Sequence, residues 1–317
     1  MPKVIHTSRS GMAYCKAGFP MRGNRLATVR EAVHDGDTVN IAVNGNFGIR
    51  FLGIDTPEVS FQLPNTRRFV PIQRFAAYLT DPFSSDYADS VELVVSLGDN
   101  LVDNLRSRLG PDCAKNHECH AQRAHRHLEE LIQKDVDERE IQGREFRFFL
   151  AFAHDVMDGY GRFLCYLHRD DTPSERKHRM SYNERMLESG MACPYFIWPN
   201  INPFRKQSNL QKAVPPPGHL PDWIDDLAFA RARQLMKNAR DNKIGIFEQE
   251  NPLALLPFEL RYLARRYPPH RYVLDLSKDE PVLLKPTDYY TIPNMEDRLF
   301  IDSHFVPLFV DNGYRIA

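Results

Sequence analysis

Val33 to Glu58, VHDGDTVNIAVNGNFGIRFLGIDTPE, is the stretch that decides the fold. Asp35-Gly36 is a tight-turn dipeptide that delivers Asp37 at the start of a strand. Thr38 to Val43 alternates polar and apolar residues loosely, as a half-buried strand does. Asn44-Gly45 offers a type I′ hairpin turn. A third strand is expected over Phe47 to Ile54, with Arg50 inside it and Pro57 ending the ladder.

Antiparallel neighbours bring the start of the second strand and the end of the third to one edge, so Asp37 and Asp55 are expected together. Two carboxylates helped by a backbone carbonyl form a hard-oxygen site suited to Ca²⁺ or Mg²⁺. Arg50 is a fork-shaped donor for a phosphate. Glu58 is a third carboxylate, able to orient or deprotonate a water.

DGDT, an Arg-bearing strand and D-T-P-E together resemble the staphylococcal nuclease (thermonuclease) family. Asp158-Gly159-Tyr160-Gly161-Arg162 looks like its D-x-Y-G-R motif, and Asn183 to Ala192 is similar to its N-x-x-L-v-x-x-G-x-A helix. The likeness covers roughly residues 25–58, 145–200 and 222–247, with the motifs in the family's order. It implies an α+β chain, mainly β with helices, built on a five-stranded OB-fold barrel. Residues 1–24 are then an N-terminal arm and 25–250 the nuclease-like domain, with a helical insertion at about 97–143. Residues 251–317 are expected to be an appendage packed on the barrel.

By the same carry-over, Asp37, Asp55 and the Thr56 carbonyl hold Ca²⁺, with Mg²⁺ and Mn²⁺ as alternatives. Glu58 activates the attacking water, and Arg50 and Arg162 grip the phosphate and stabilise its charge. Tyr160 hydrogen-bonds a terminal phosphate, and Phe196 and Trp198 either flank the bound nucleotide or are plain core aromatics. Gly159 departs from the Lys that many members carry there. The implied activity is endonucleolytic hydrolysis of DNA, RNA or both, single strands preferred, leaving 3′-phosphate and 5′-hydroxyl ends. The competing class is a non-catalytic nuclease-like scaffold that binds nucleic acid or protein.

Elsewhere, Arg25 to Val33 reads as the first barrel strand, and Val91 to Val95, Arg144 to His154 and Phe163 to Leu167 as further strands. Ser181 with Glu184 is a capping box and Gly190 ends that helix. Leu299 to Val310 is expected to be a strand. In the insertion, two apolar faces predict a helical hairpin whose turn crowds Cys113, His117, Cys119, His120, His125 and His127 into fifteen residues. Cys113, His117, Cys119 and His120 are conceivable zinc ligands, but the spacing fits no common finger, so a solvated His-rich helix end is preferred over zinc.

Composition bounds the rest. The 317 residues are 42 % apolar and 26 % charged, ordinary for a globular chain. A net charge of −1 supplies no global field for nucleic acid, so any attraction must be local. No apolar run approaches about 18 residues, which argues against a membrane span. The N-terminus lacks an apolar signal core, and five scattered Cys suit reduced thiols; the expected location is the cytoplasm.

Overall fold

A computed structural model describes residues 6–7, 13–42, 46–62, 68–87, 90–158, 162–172, 174–175, 179–201, 209–225 and 229–317. The Asn44-Gly45 turn, Gly159 and Tyr160 lie outside them. The N-terminal strands are β1 (His6–Thr7), β2 (Ala13–Ala17), β3 (Met21–Arg22), β4 (Arg25–Leu26), β5 (Val33–Asp35), β6 (Thr38–Ala42), β7 (Asn46–Phe51) and β8 (Gly53–Asp55). The short β9 (Ser60–Gln62) and β10 (Phe69–Pro71) follow, then β11 (Phe148–Ala151), β12 (Phe163–Arg169) and β13 (Cys193–Trp198). The C-terminal part adds β14 (Arg271–Asp275), β15 (Val282–Leu284), β16 (Arg298–Asp302) and β17 (Arg315–Ile316).

The chain is mixed α+β with two large sheets. The first runs β1-β2-β11-β12-β7-β6-β5, and within it β12 and β7 are parallel. Just past β2, Gly18 and Ala42 exchange backbone hydrogen bonds of 3.1 and 2.8 Å, so the β2 side curls back to the end of β6. A fully closed barrel is not found among the described residues. Along β6 and β7, Val39, Ile41, Ile49 and Phe51 enter the core, and Thr38, Asn40, Gly48 and Arg50 take the other face. The register sets Thr38 opposite Arg50 and Asn40 opposite Gly48.

The second sheet runs β17-β15-β14-β16-β13-β8. The expected third strand is therefore two: it breaks at Leu52, and Gly53, at φ +74°, turns the chain out of the first sheet into the second. Residue Asp55 then sits opposite Cys193 on β13, while Arg50 stays on the first sheet. The C-terminal residues supply β14 to β17, so β13 is flanked by β16 on one side and β8 on the other.

Several expected elements differ. Arg25 to Val33 is not one strand: after β4, Thr28 caps a short helix, Val29–Ala32, with the Glu31 carboxylate accepting from the Thr28 N–H at 2.9 Å. The T-x-x-E signature there outranked strand propensity. The short β5 stands beside β6, across from β7, and β2, from the stretch expected to be an arm, joins the same sheet beside β11. Val91 to Val95 lies in a helix, Ser90–Leu97, which buries Leu93 and Leu97 and exposes Val91 and Val95. The four-residue Leu spacing decided over β-branching. Leu299 to Val310 is strand only to Asp302, then turns into a helix, Val306–Asp311. The Cys/His set is not at a turn but in the first half of a 29-residue helix, Cys113–Ile141.

That long helix lies against the hairpin that begins the site. A Cβ at Gly36 would meet the Ala124 Cβ at 2.7 Å, so glycine is needed for the helix to approach. The insertion and the helix Ser90–Leu97 before it also share a core with the C-terminal helix Pro257–Arg265, through Leu93, Leu97, Leu101, Leu260 and Leu263. Arg108 fixes the junction with two hydrogen bonds to Glu259, 2.7 and 2.8 Å, and the Tyr289 hydroxyl donates a third at 2.6 Å.

Burial alone would raise the Glu259 carboxyl, but Arg108, Tyr289 and the Leu256 N–H more than offset it, and its pKa is lowered. The pair's contribution is complete above the unfolded Glu value of about 4.3 and is lost as pH falls through the lower folded value. Arg108→Met is expected to cost about 3 kcal/mol at pH 7, because it strands a buried carboxylate. The cost should shrink towards pH 4, where a stranded Glu259 takes up a proton. Urea melts at the two pH values check this; a loss under about 1 kcal/mol at pH 7 contradicts it.

Candidate functional site

The Leu52–Gly53 corner brings the two sheets' acids to one guanidinium. Arg50 Nη2 is 2.9 Å from Asp55 Oδ1 and 3.6 Å from Asp37 Oδ2. Both carboxylates are buried. Asp37 also accepts from the Thr38 hydroxyl at 3.1 Å and from the Thr56 N–H at 3.3 Å. Its own N–H donates to Asp35 at 3.1 Å, which places a further acid at the turn. Asp37, Arg50, Asp55, Thr56 and Glu58, separated by up to 21 positions, thus form one group.

A residue that sequence reasoning missed completes it. Arg261, from the helix Pro257–Arg265, donates to both Asp55 oxygens at 2.8 and 2.6 Å and to Glu58 Oε1 at 3.0 Å. It lies 206 positions from Asp55. The only signal for it is an Arg on the apolar helix P-F-E-L-R-Y-L-A, which says that something acidic waits inside but not what. The insertion reaches the same place: the Glu58 N–H donates to His117 Nε2 at 3.0 Å, so this fully buried imidazole is neutral with its proton on Nδ1. Burial lowers the His117 pKa to about 3, helped by nearby His120 and Arg261.

The electrostatics follow from four carboxyl groups, Asp35, Asp37, Asp55 and Glu58, facing two guanidinium groups. Burial is the largest influence on Asp37 and opposes its charge, but Arg50 prevails with help from neighbouring hydrogen bonds, and its pKa is lowered. Burial and the neighbouring Asp37 push Asp35 well up. Burial also raises Glu58, with Arg261 and Arg50 pulling the other way. Arg50 is held above its ordinary value: burial works against the charge, and Asp37 and Asp55 outweigh it.

Arg162 is held by Asp158, through Nε at 2.8 Å and its backbone N–H at 3.0 Å. Its stem runs over Gly48, where a Cβ would meet Arg162 Cγ at 3.2 Å. Gly48 and Arg50 share a strand face, roughly 7 Å apart along the chain, so Arg162 stands on the face that carries Arg50. Phe196 and Trp198 are not placed to flank a nucleotide. Both are buried, Trp198 against Phe305 and Phe309 with its indole N–H on the Ala213 carbonyl. The C-terminal part covers that face of β13, which strand alternation alone could not foretell.

The donors Asp37, Asp55 and the Thr56 carbonyl fit a hard divalent cation in charge and in donor type. Carboxyls outnumber guanidiniums, and the Thr56 hydroxyl beside them is buried without a hydrogen-bond partner. What such an ion would meet is Arg261, which already takes both oxygens of Asp55.

Among the described residues, no group of three or more His, Cys, Asp and Glu side chains is arranged to hold a metal ion. The zinc candidates diverge around their helix. Cys113, His117 and His120 face inward, with His120 Nε2 2.8 Å from the Asn251 carbonyl, whereas Cys119 is exposed. Burial pushes the Cys113 thiol up to about 11, away from the thiolate that zinc needs. His125 is 3.6 Å from Glu129, and burial lowers the His127 pKa. No described helix is long and apolar enough to cross a membrane. Set beside known proteins, the chain matches no family model and no curated protein.

Proposed function

We propose that this protein is a divalent-cation-dependent phosphodiesterase of the staphylococcal nuclease type, hydrolysing DNA, RNA or both to 3′-phosphate and 5′-hydroxyl ends. The observation that carries the proposal is the meeting of Asp37, Arg50, Asp55 and Glu58 at one buried point, where Arg50 touches both aspartates. An OB-type barrel is supported by the order β2-β11-β12-β7-β6, its one parallel pair, and the Gly18–Ala42 bridge that joins the two ends.

Asp37, Asp55 and the Thr56 carbonyl would hold Ca²⁺, which when bound polarises a phosphoryl oxygen and offsets its charge. Mg²⁺ and Mn²⁺ are the alternatives. The Glu58 carboxylate takes a proton from the attacking water, and burial makes it the stronger base. As the water oxygen bonds to phosphorus, the bond to the 5′ oxygen breaks and that oxygen takes up a proton from solvent water to leave as the 5′-hydroxyl. Arg50 and Arg162 present N–H groups to the phosphoryl oxygens as charge builds on them. Preference for single strands cannot rest on Phe196 and Trp198, which lie in the core.

The test is purified protein with single-stranded DNA, duplex DNA and RNA, each with Ca²⁺, Mg²⁺, Mn²⁺ or EGTA. Cleavage should require a divalent ion, leave 3′-phosphate ends and vanish in Asp37→Ala. Undiminished cleavage by Asp37→Ala in EGTA, or none by the wild type on any substrate, removes the proposal; binding without cleavage would favour the scaffold.

A further inference from the structure

Arg261 also lines a cleft of about 290 Å³ that opens between the helix Pro257–Arg265 and the strands β13, β14 and β16. Its size is near the lower end for small-molecule sites, about 300 Å³. Phe258 and Tyr195 form one wall, stacked at 5.4 Å with 13° between their planes. Tyr195 neighbours the buried Phe196 on β13 but points the opposite way, as alternation requires.

The wall is held in place. Arg271 donates to the Tyr195 hydroxyl at 2.9 Å, lies over its ring at 5.7 Å and is paired with Asp302. Arg261 also lies 6.0 Å from the Tyr195 ring centroid. At the mouth stand the exposed Arg265, His270 and Tyr267, the last 63 % exposed. Asp302 pairs with Arg271 and lies 3.4 Å from His270 Nε2 at the border of the cleft, so Arg265 is the cation best placed to neutralise a phosphate while the aromatic faces stack a flat base.

We propose that this cleft is a subsite for one unpaired nucleotide of a single strand, its base between the aromatic wall and the exposed Tyr267 and its phosphate towards Arg265. The inference rests on the nuclease reading for its substrate class. Arg261 joins the subsite to the site, since the residue lines the cleft and its guanidinium binds Asp55 and Glu58. A nucleotide seated here lies next to the phosphate held at Arg50. The cleft therefore supplies the stacking surface that Phe196 and Trp198 do not, and it selects unpaired bases because a paired base hides its faces.

Binding and cleavage are measured separately. In EGTA, anisotropy of a short labelled single-stranded oligonucleotide gives Kd and its salt dependence for the wild type, Tyr267→Ala and Arg265→Ala. Tyr267→Ala should weaken binding roughly tenfold, the loss of one stacking contact. Arg265→Ala should weaken it and lower the slope of log K against log salt by about 0.7. Hydrolysis of bis(p-nitrophenyl) phosphate, too small to fill the cleft, should stay within about twofold. If both variants bind the oligonucleotide as the wild type does, or the wild type does not bind it, the subsite is overturned. A wild type that binds but never cleaves, with binding lost in the variants, leaves the subsite standing and removes the nuclease reading instead.

Discussion

Glu58→Gln is expected to lower kcat by about 10²–10⁴ while KM changes little, the range for losing a general base. Gln keeps the length of the side chain and can still accept from Arg261, which donates to Glu58 Oε1 at 3.0 Å. It cannot take a proton from water. The backbone is fixed independently, since the Glu58 N–H is held by His117 Nε2, so the variant should keep its fold. Because burial raises the Glu58 carboxyl, wild-type kcat/KM should rise with pH through a value above the ordinary Glu range. That limb should be absent from the residual activity of Glu58→Gln. The check is a pH–rate profile for both proteins at saturating Ca²⁺, with thermal melts to confirm folding. A variant within fivefold of the wild type would mean that Glu58 positions Arg261 rather than water.

The hairpin acids could be read from sequence because their spacing encodes their meeting. Asp35-Gly36 fixes the turn that sets Asp37 beside the Arg50 strand, but Asp55 reaches the same guanidinium through the Gly53 corner into the second sheet, not along the single antiparallel edge expected. The Ser181 capping box was legible for the same reason: Ser181 and Glu184 are three residues apart, and their bonds form as the pattern requires. What sequence could not show depends on distant segments. Phe196 and Trp198 alternate just as platform residues would; only Phe305 and Phe309, a hundred residues on, decide that the Trp198 face is covered. Val91 and Val95 favour a strand in isolation, yet a helix buries Leu93 and Leu97 better. By sequence His117 is one ligand candidate among other His and Cys; in the structure it accepts a backbone N–H from the site.

Arg261→Met is expected to cost about 3 kcal/mol in EGTA and to recover much of that in Ca²⁺. Residue Asp55 is 1 % exposed, and two of its three guanidinium hydrogen bonds come from Arg261. Without them its guanidinium partner is Arg50, at 2.9 Å, while Asp37 and Glu58 remain close. A buried carboxylate short of compensation is the costly case, and Met fills the space without answering the charge. A divalent ion answers the same charge from the oxygen side. At a hundred times its Kd it contributes about 2.7 kcal/mol, close to what the substitution removes. In the wild type the gain from Ca²⁺ should be smaller, because the ion and the Arg261 guanidinium compete for the same two oxygens of Asp55. Urea melts of both proteins in EGTA and in millimolar Ca²⁺ give the four stabilities, and no activity is needed to interpret them. If Ca²⁺ stabilises Arg261→Met no more than it does the wild type, Asp55 is not a cation ligand, and Arg261 is then the permanent counter-charge of the site.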